Sequence, residues 1–239
     1  MNLNINGINV NAKYNDHCIN DVLLPLIDRL DTMQKEKNAR IIVYLAAAPG
    51  CGKSTLASYL EYLSNNRIQA LSMDGFHHTN IYLNNHFRSN GEPLYKHKGA
   101  IDTFDVESLI KHIKDIKENK DVLWPIYDRK IHDPIKDIIK VDKQIILIEG
   151  NYLLLNAKPW VELIKYADYS IFIKGQTIDL ENRLIERKML SGSKYDISLK
   201  HYHETDKPNI ELVNNNSIKA NLNLKLEIND GIVKLIDIG

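Results

Sequence analysis

Residues 46–55 read AAAPGCGKST and carry the strongest chemical signal in the chain. Against the pattern G-x-x-x-x-G-K-[ST], Gly52, Lys53 and Ser54 match, and Ala47 stands where the first glycine would be. An alanine can leave a strand there if its φ is negative, whereas Gly52 falls where backbone amides must approach phosphate closely. An apolar run at 41–45 precedes the segment, and Leu56, Tyr59, Leu60 and Leu63 follow at helical spacing. That order of strand, loop and helix suits a phosphate cradle. Amides of Gly50, Cys51, Gly52, Lys53, Ser54 and Thr55 would surround nucleotide phosphates at a helix N-terminus, with Lys53 bridging the outer phosphates and Ser54 ligating Mg²⁺. Cys51 reads as a small filler whose amide matters more than its sulfur.

Two carboxylates fall at the ends of apolar strands, where ligands bind in open parallel sheets. Asp74 follows a strand expected at 68–73, one strand after the loop, and is placed to take the proton of a substrate hydroxyl as it attacks a γ-phosphate. Its structural alternative is a turn or N-cap aspartate. Glu149 follows the run IILI, the position of a carboxylate on the metal side of the site. Arg183 and Arg187 stand at i and i+4 on a helix expected over 180–189, so they share a face and could close over a transferred phosphoryl group. Pairing of that face with Glu186 in solvent is the alternative.

The elements that must hold these residues alternate between strand and helix. Strands are expected at 41–45, 68–73, 122–126, 145–148 and 169–173, and helices follow 52, 105 and 179, with Asp105 as the N-cap of the second. A short hairpin is expected around Asn6-Gly7, a helix through Val22, Leu23, Leu26, Ile27 and Leu30, and two C-terminal strands around Asn229-Asp230-Gly231. The class is therefore α/β, a doubly wound and mostly parallel sheet with helices on both faces and a small helical lid. About thirty polar residues after Asp74 break the pattern, and a stretch of that length beside a strand end favours function.

Composition narrows the partners. The chain has 239 residues, with 31 Lys+Arg against 31 Asp+Glu, which gives no electrostatic reason to expect nucleic acid or an anionic membrane. Hydrophobic residues at 44% and charged residues at 26% are those of a globular core. No apolar run reaches the ~18 residues of a membrane span, and the N-terminus lacks the pattern of a signal peptide. The expectation is a cytoplasmic protein. Cys18 and Cys51 are the two cysteines, too few for a disulfide framework or a thiolate zinc site. His201 and His203 would lie about 200° apart on a helix and cannot chelate one ion from it.

The segments APGCGKST, MDGFHHTN, KGAIDTFD, WPIYDRKIHDP, IEGNYLLL and RLIERK together resemble the P-loop small-molecule kinases that include uridine kinase, phosphoribulokinase and bacterial pantothenate kinase. Within them the likeness is closest to a nucleoside/nucleotide kinase branch labelled fructose transport system kinase, and it runs from about residue 41 to about 226. The resemblance implies a P-loop NTPase fold in one domain over 1–239. An N-terminal hairpin and helix would occupy 1–39 and the core 40–228, with an acceptor-side insert at 74–104, a lid at 178–205 and C-terminal strands at 222–239. It implies Asp74 as catalytic base, Glu149 as metal-side carboxylate, Arg183 and Arg187 on the lid, and Tyr127, Asp128, Arg129 and His132 at the acceptor. His77 and Lys98 bound the stretch that would rim the same cleft, and Lys98 and Arg129 suit an acceptor bearing hydroxyls or an anion. Tyr202 and Pro208-Asn209 fall where the resemblance puts nucleotide-base contacts. The expected activity is transfer of phosphate from ATP, with Mg²⁺, to a hydroxyl of a ketose, nucleoside or pantothenate-like alcohol, and a homodimer is left open. A nucleotide-driven ATPase switch is the alternative; the insert after Asp74 favours a walled acceptor pocket, and Asn156-Ala157-Lys158-Pro159 lacks the aspartate of a guanine-reading segment.

Overall fold

A small antiparallel ribbon opens the chain, β1 (Asn2–Ile5) against β2 (Ile8–Asn11), with Leu3 opposite Val10. The turn expected at Asn6-Gly7 lies outside the described residues. The computed structural model describes all of the chain except Asn6, Gly7, Ser191 and Asp230, and describes backbone alone at Asn4, Ile5, Ile8, Asn9, Thr177, Ile178 and Asn229. A short helix, α1 (Asp16–Cys18), is capped by Asn15, whose side chain accepts from the Cys18 amide at 2.8 Å. A wider turn at Ile19–Leu23 leads into α2 (Leu24–Lys37), which carries Pro25 just after that turn and buries Leu26, Ile27 and Leu30.

The central strand is β3 (Ile41–Ala47), all seven of whose residues are buried. After it come α3 (Lys53–Leu63), β4 (Ile68–Ser72), α4 (Asn80–Asn85), α5 (Val106–Lys117), β5 (Leu123–Asp128), β6 (Asp133–Lys140), β7 (Ile145–Gly150) and β8 (Tyr169–Lys174). Three helices, α6 (Thr177–Leu190), α7 (Tyr195–His201) and α8 (Lys207–Asn216), precede β9 (Leu222–Asn229) and β10 (Ile232–Asp237). The main sheet has the order β10-β9-β8-β3-β7-β4. Every pairing in it is parallel except β9 with β10. The inner strands are mostly apolar because helices cover both faces. From β3 the chain crosses to one half of the sheet through β4, and from β7 to the other half through β8. The carboxyl end of β3 is thus a topological switch point, where a crevice opens.

One expectation needs correction. The strand near 122–126 does not join the main sheet: β5 pairs with β6 in a separate antiparallel ribbon, with Leu123 opposite Lys140 and Asp128 opposite Asp133. The segment YDRKIHDP is accordingly the tip of a hairpin and not a loop between core strands. Periodicity missed β6 because it is largely exposed and charged, DPIKDIIK. Trp124 roots the ribbon over the end of β4. Its indole is fully buried, donates to the Ser72 carbonyl at 2.8 Å and packs edge-on to Phe76 at 4.8 Å. The insert is also ordered. It holds single turns at Met73–Phe76, Leu94–His97 and Ile101–Thr103 together with α4, which Thr79 caps. Asp105 caps α5 as expected, accepting from the Ser108 amide at 3.0 Å.

Candidate active site

The loop after β3 takes the backbone form its glycines allow. Gly50 and Gly52 have φ of +85° and +79°, left-handed values that a side chain would strain, whereas Ala47 completes β3 opposite Ile173. Gly52 is the N-cap of α3, so the first amides of that helix face the crevice with nothing of the helix to accept them. Lys53 is 8% exposed, and its ammonium donates to the Ala48 carbonyl at 3.1 Å. Burial holds it below the ordinary lysine value, while Glu149, and more weakly Asp74, pull it back. The Cys51 thiol is 3% exposed and pushed up by burial.

On the β4 and β7 side, the Ser54 hydroxyl donates to Glu149 Oε1 at 2.8 Å. Glu149 is 4% exposed; burial raises its pKa, Asp74 raises it further, and Lys53 and the serine hydroxyls oppose the shift. A hydroxyl and a carboxylate converging beside a phosphate cradle are hard oxygen donors of the kind that hold Mg²⁺ together with substrate phosphates. The Asp74 carboxylate lies at the end of β4, 3.9 Å from the Arg129 guanidinium, and its amide bonds the Ser72 hydroxyl at 3.2 Å. Glycines hold this corner tight. A Cβ on Gly75 would lie 2.3 Å from the Pro125 carbonyl oxygen, and one on Gly150 would lie 2.1 Å from the Met73 sulfur.

Helix α6 is seated on the loop. Leu180 and Leu184 are buried, and a Cβ on Gly50 would touch the Leu184 side chain at 3.2 Å. The Arg183 guanidinium lies over the loop, 3.6 Å from the position of a Cβ on Gly52. Arg187 lies in the electrostatic reach of Arg129, Asp206, Asp74 and Arg183, and acts on Lys53 of the loop as well.

The hairpin tip and the insert form the rim next to Asp74. The His77 ring packs 3.9 Å from Phe104 and 5.0 Å from Tyr127, and its Nδ1 pairs with the Asp74 carbonyl at 2.8 Å. Burial lowers the His77 pKa, and Asp74 opposes this. Burial pushes the Tyr127 hydroxyl up to about 12. Lys98 joins the two walls: its ammonium reaches Asn80 Oδ1 at 2.5 Å and the His132 carbonyl at 2.6 Å, with Asp133 at 4.0 Å. Asp128 turns the hairpin, accepting from the Lys130 amide at 2.7 Å, and His132 offers its carbonyl while its side chain is exposed. Tyr202 is buried, and Asn209 donates to the Gly99 carbonyl at 3.2 Å, against the insert.

A family model described as phosphoribulokinase / uridine kinase family matches residues 42–224. The chain belongs to the phosphoribulokinase/uridine kinase family. It is a small-molecule kinase, and the family's chemistry is phosphoryl transfer to an alcohol. The uncharacterized protein YggC of Escherichia coli K12 is 40% identical over 228 residues, 93% of each chain. The "putative uridine kinase C227.14" of Schizosaccharomyces pombe is 30% identical over 198 residues, 78% of this chain and 83% of that one. The crystal structure of a "putative fructose transport system kinase" from Silicibacter sp. TM1040 superposes with a TM-score of 0.76 at 30% identity, covering 84% of this chain and 98% of that one. Membership in this kinase family sets the nucleotide-switch alternative aside. Among the described residues, no helix is long and apolar enough to cross a membrane.

Sequence reasoning missed Asn80, Asp133 and Asp206. Asp206 has 15% of its side chain exposed, faces Arg187 and Lys188, and is pushed up to about 6 by burial. Its one sequence signal is an acid before Lys207-Pro208 at the start of α8, which reads equally well as an ordinary helix start.

Proposed function

We propose that this kinase transfers the γ-phosphoryl group of ATP to a hydroxyl of a small polyol-like metabolite, a ketose, nucleoside or pantothenate-like alcohol, with Asp74 as general base. The observation that carries the reading is the position of the Asp74 carboxylate at the end of β4, beside the phosphate loop and 3.9 Å from Arg129 on the hairpin that rims the crevice. The Asp74 carboxylate accepts the hydroxyl proton as the oxygen attacks, with the Arg129 guanidinium beside it. The amides of Gly50 to Thr55 and the Lys53 ammonium neutralise the phosphates, and Arg187 meets charge that develops on the transferred group. Ser54 and Glu149 are the residues that would hold Mg²⁺, which supplies charge neutralisation on the phosphate oxygens. The mixed rim of Tyr127, Arg129 and His77 supports an acceptor that carries several hydroxyls. The names of the similar kinases support a sugar or nucleoside as the first choices.

The test is a coupled ADP-release assay with Mg-ATP against ketoses, aldoses, nucleosides, pantothenate and ribulose 5-phosphate, with Asp74→Asn as control. Acceptor-dependent release that vanishes in the control is expected. Release indifferent to every acceptor and to Asp74 would overturn the reading.

A further inference from the structure

A cavity of about 260 Å³ opens on the side of the phosphate loop away from Asp74. Gly52, Thr55 and Arg183 line one wall, and none of Lys53, Ser54, Asp74 or Glu149 reaches it. Its other walls come from the β8 to β10 half of the sheet, through Ile173, Leu226 and Val233, and from residues 10–14 of the N-terminal arm. The strand order separates two tasks. β4 and β7, with Asp74 and Glu149, lie to one side of β3, and β8, β9 and β10 lie to the other. A nucleotide whose outer phosphates meet Lys53, Ser54 and Glu149 has its inner phosphate near Thr55, and its nucleoside must then leave the loop toward β8 to β10.

We infer that the N-terminal arm 10–14, clamped on β10, forms with the β9–β10 hairpin the wall that receives the nucleoside of ATP, a part of the site that lies outside the shared kinase core. This rests on the kinase reading only in requiring that ATP binds at the phosphate loop. The family match stops at 42 on one side and 224 on the other, so the arm and the hairpin residues 226–235 that line the cavity lie beyond it. Tyr202 and Asn209, where the family resemblance puts base contacts, do not line this cavity.

The arm is held as a fixed part. The Val233 amide donates to the Lys13 carbonyl at 2.7 Å, and the Asn15 amide returns a bond to the Val233 carbonyl at 3.3 Å. The Ala12 amide donates to the Met1 carbonyl at 2.8 Å, and the Tyr14 ring packs 4.6 Å from Tyr59 of α3. Half of the lining is aliphatic, and Arg183 and Lys13 are its basic residues, the Arg183 guanidinium lying over Gly52. This is the composition that takes a flat heterocycle: apolar sides for its faces and a planar guanidinium able to stack on it. Its volume, just below the ~300 Å³ at which small-molecule clefts begin, limits the occupant to one ring system with its sugar.

The experiment compares ADP with tripolyphosphate, which has the phosphates and no nucleoside. Backbone hydrogen exchange of the wild-type protein is expected to slow at 10–15 and 226–235 with ADP, and to stay unchanged there with tripolyphosphate, while both ligands protect 50–56. Ala12→Phe and Val233→Phe add bulk from the two segments that make this wall. Each is expected to weaken ADP binding about tenfold or more and to change tripolyphosphate binding less than about twofold, with folding checked by thermal melting. Protection confined to 50–56 with both ligands would overturn the inference and leave the kinase reading intact. Failure of the wild type to bind either ligand would remove both.

Discussion

Ser54 and Glu149 are 2.8 Å apart, hydroxyl to carboxylate, although 95 residues separate them in the chain. They meet because β3 and β7 are parallel neighbours, with Leu45 opposite Glu149 and Ala46 opposite Gly150, so that the first turn of α3 stands over the end of β7. Burial and Asp74 raise the Glu149 pKa, and a carboxylate must be ionised to bind a cation. Glu149→Gln is therefore expected to lower kcat by on the order of 10²-fold or more and to move the Mg²⁺ requirement to higher concentration. Steady-state kinetics over a magnesium titration measure both, and an unchanged magnesium dependence would remove Glu149 from the metal side.

Asp74 and Lys53 separate chemistry from binding. Asp74→Asn should cut phosphoryl transfer by a factor on the order of 10² to 10⁴ while ADP affinity stays within about threefold. Lys53→Ala should weaken nucleotide binding and turnover together, because its buried ammonium lies in the cradle itself. Calorimetric ADP binding beside the turnover assay tells the two apart; normal turnover in Asp74→Asn would refute the base assignment.

The two lid arginines should not behave alike. Arg183 lies over Gly52 and the nucleoside-side cavity, so Arg183→Ala is expected to raise KM for ATP by about tenfold. Arg187 shares the field of Asp74, Asp206 and Arg129, so Arg187→Ala should act on kcat and on the acceptor. Two-substrate kinetics decide this, and identical profiles for the two variants would count against the division.

Lys98 fastens the insert to the hairpin tip through Asn80 and the His132 carbonyl. Hydrogen bonds from a charged donor contribute roughly 1.5–3 kcal/mol, and their loss here loosens one wall of the acceptor side. Lys98→Met is expected to raise acceptor KM by about tenfold and to leave KM for ATP unchanged. Equal increases for both substrates would point to a general loss of folding.

Asp206 gives a pH dependence of stability with a definite sign. Burial raises its folded-state pKa from 3.8 to about 6, against the pull of Arg187 and Lys188. A group raised on folding contributes stability that is full below its unfolded value and is lost as pH rises through about 6. The gap corresponds to on the order of 3 kcal/mol. Asp206→Asn should then match the wild type near pH 4 and exceed it in melting temperature at pH 8. His201, lowered to about 4 by burial and 3.9 Å from Asp206, works in the opposite direction as pH falls, so the aspartate is read at pH 8, where the histidine is neutral. A variant less stable than wild type at pH 8 would mean that ion pairing with Arg187 and Lys188 outweighs burial.

What the sequence determined was local. Left-handed glycines at 50 and 52, amides at the start of α3 and carboxylates at the ends of β4 and β7 follow from short stretches of chain whose pattern fixes both the element and the end at which the residue stands. The family's motifs lie in those stretches, and so the reaction class was legible there. Tertiary structure alone decided which side of the loop each part serves. Strand order depends on pairings between residues far apart in the chain, and periodicity carries no record of them. That is why periodicity does not show β5 and β6 as a separate ribbon, and why Lys98 emerges as a joint between two walls. The N-terminal arm is the clearest case: nothing near Lys13 resembles a nucleotide site, and its hydrogen bonds to Val233 of β10, with the packing of Tyr14 on Tyr59, bring it beside Gly52.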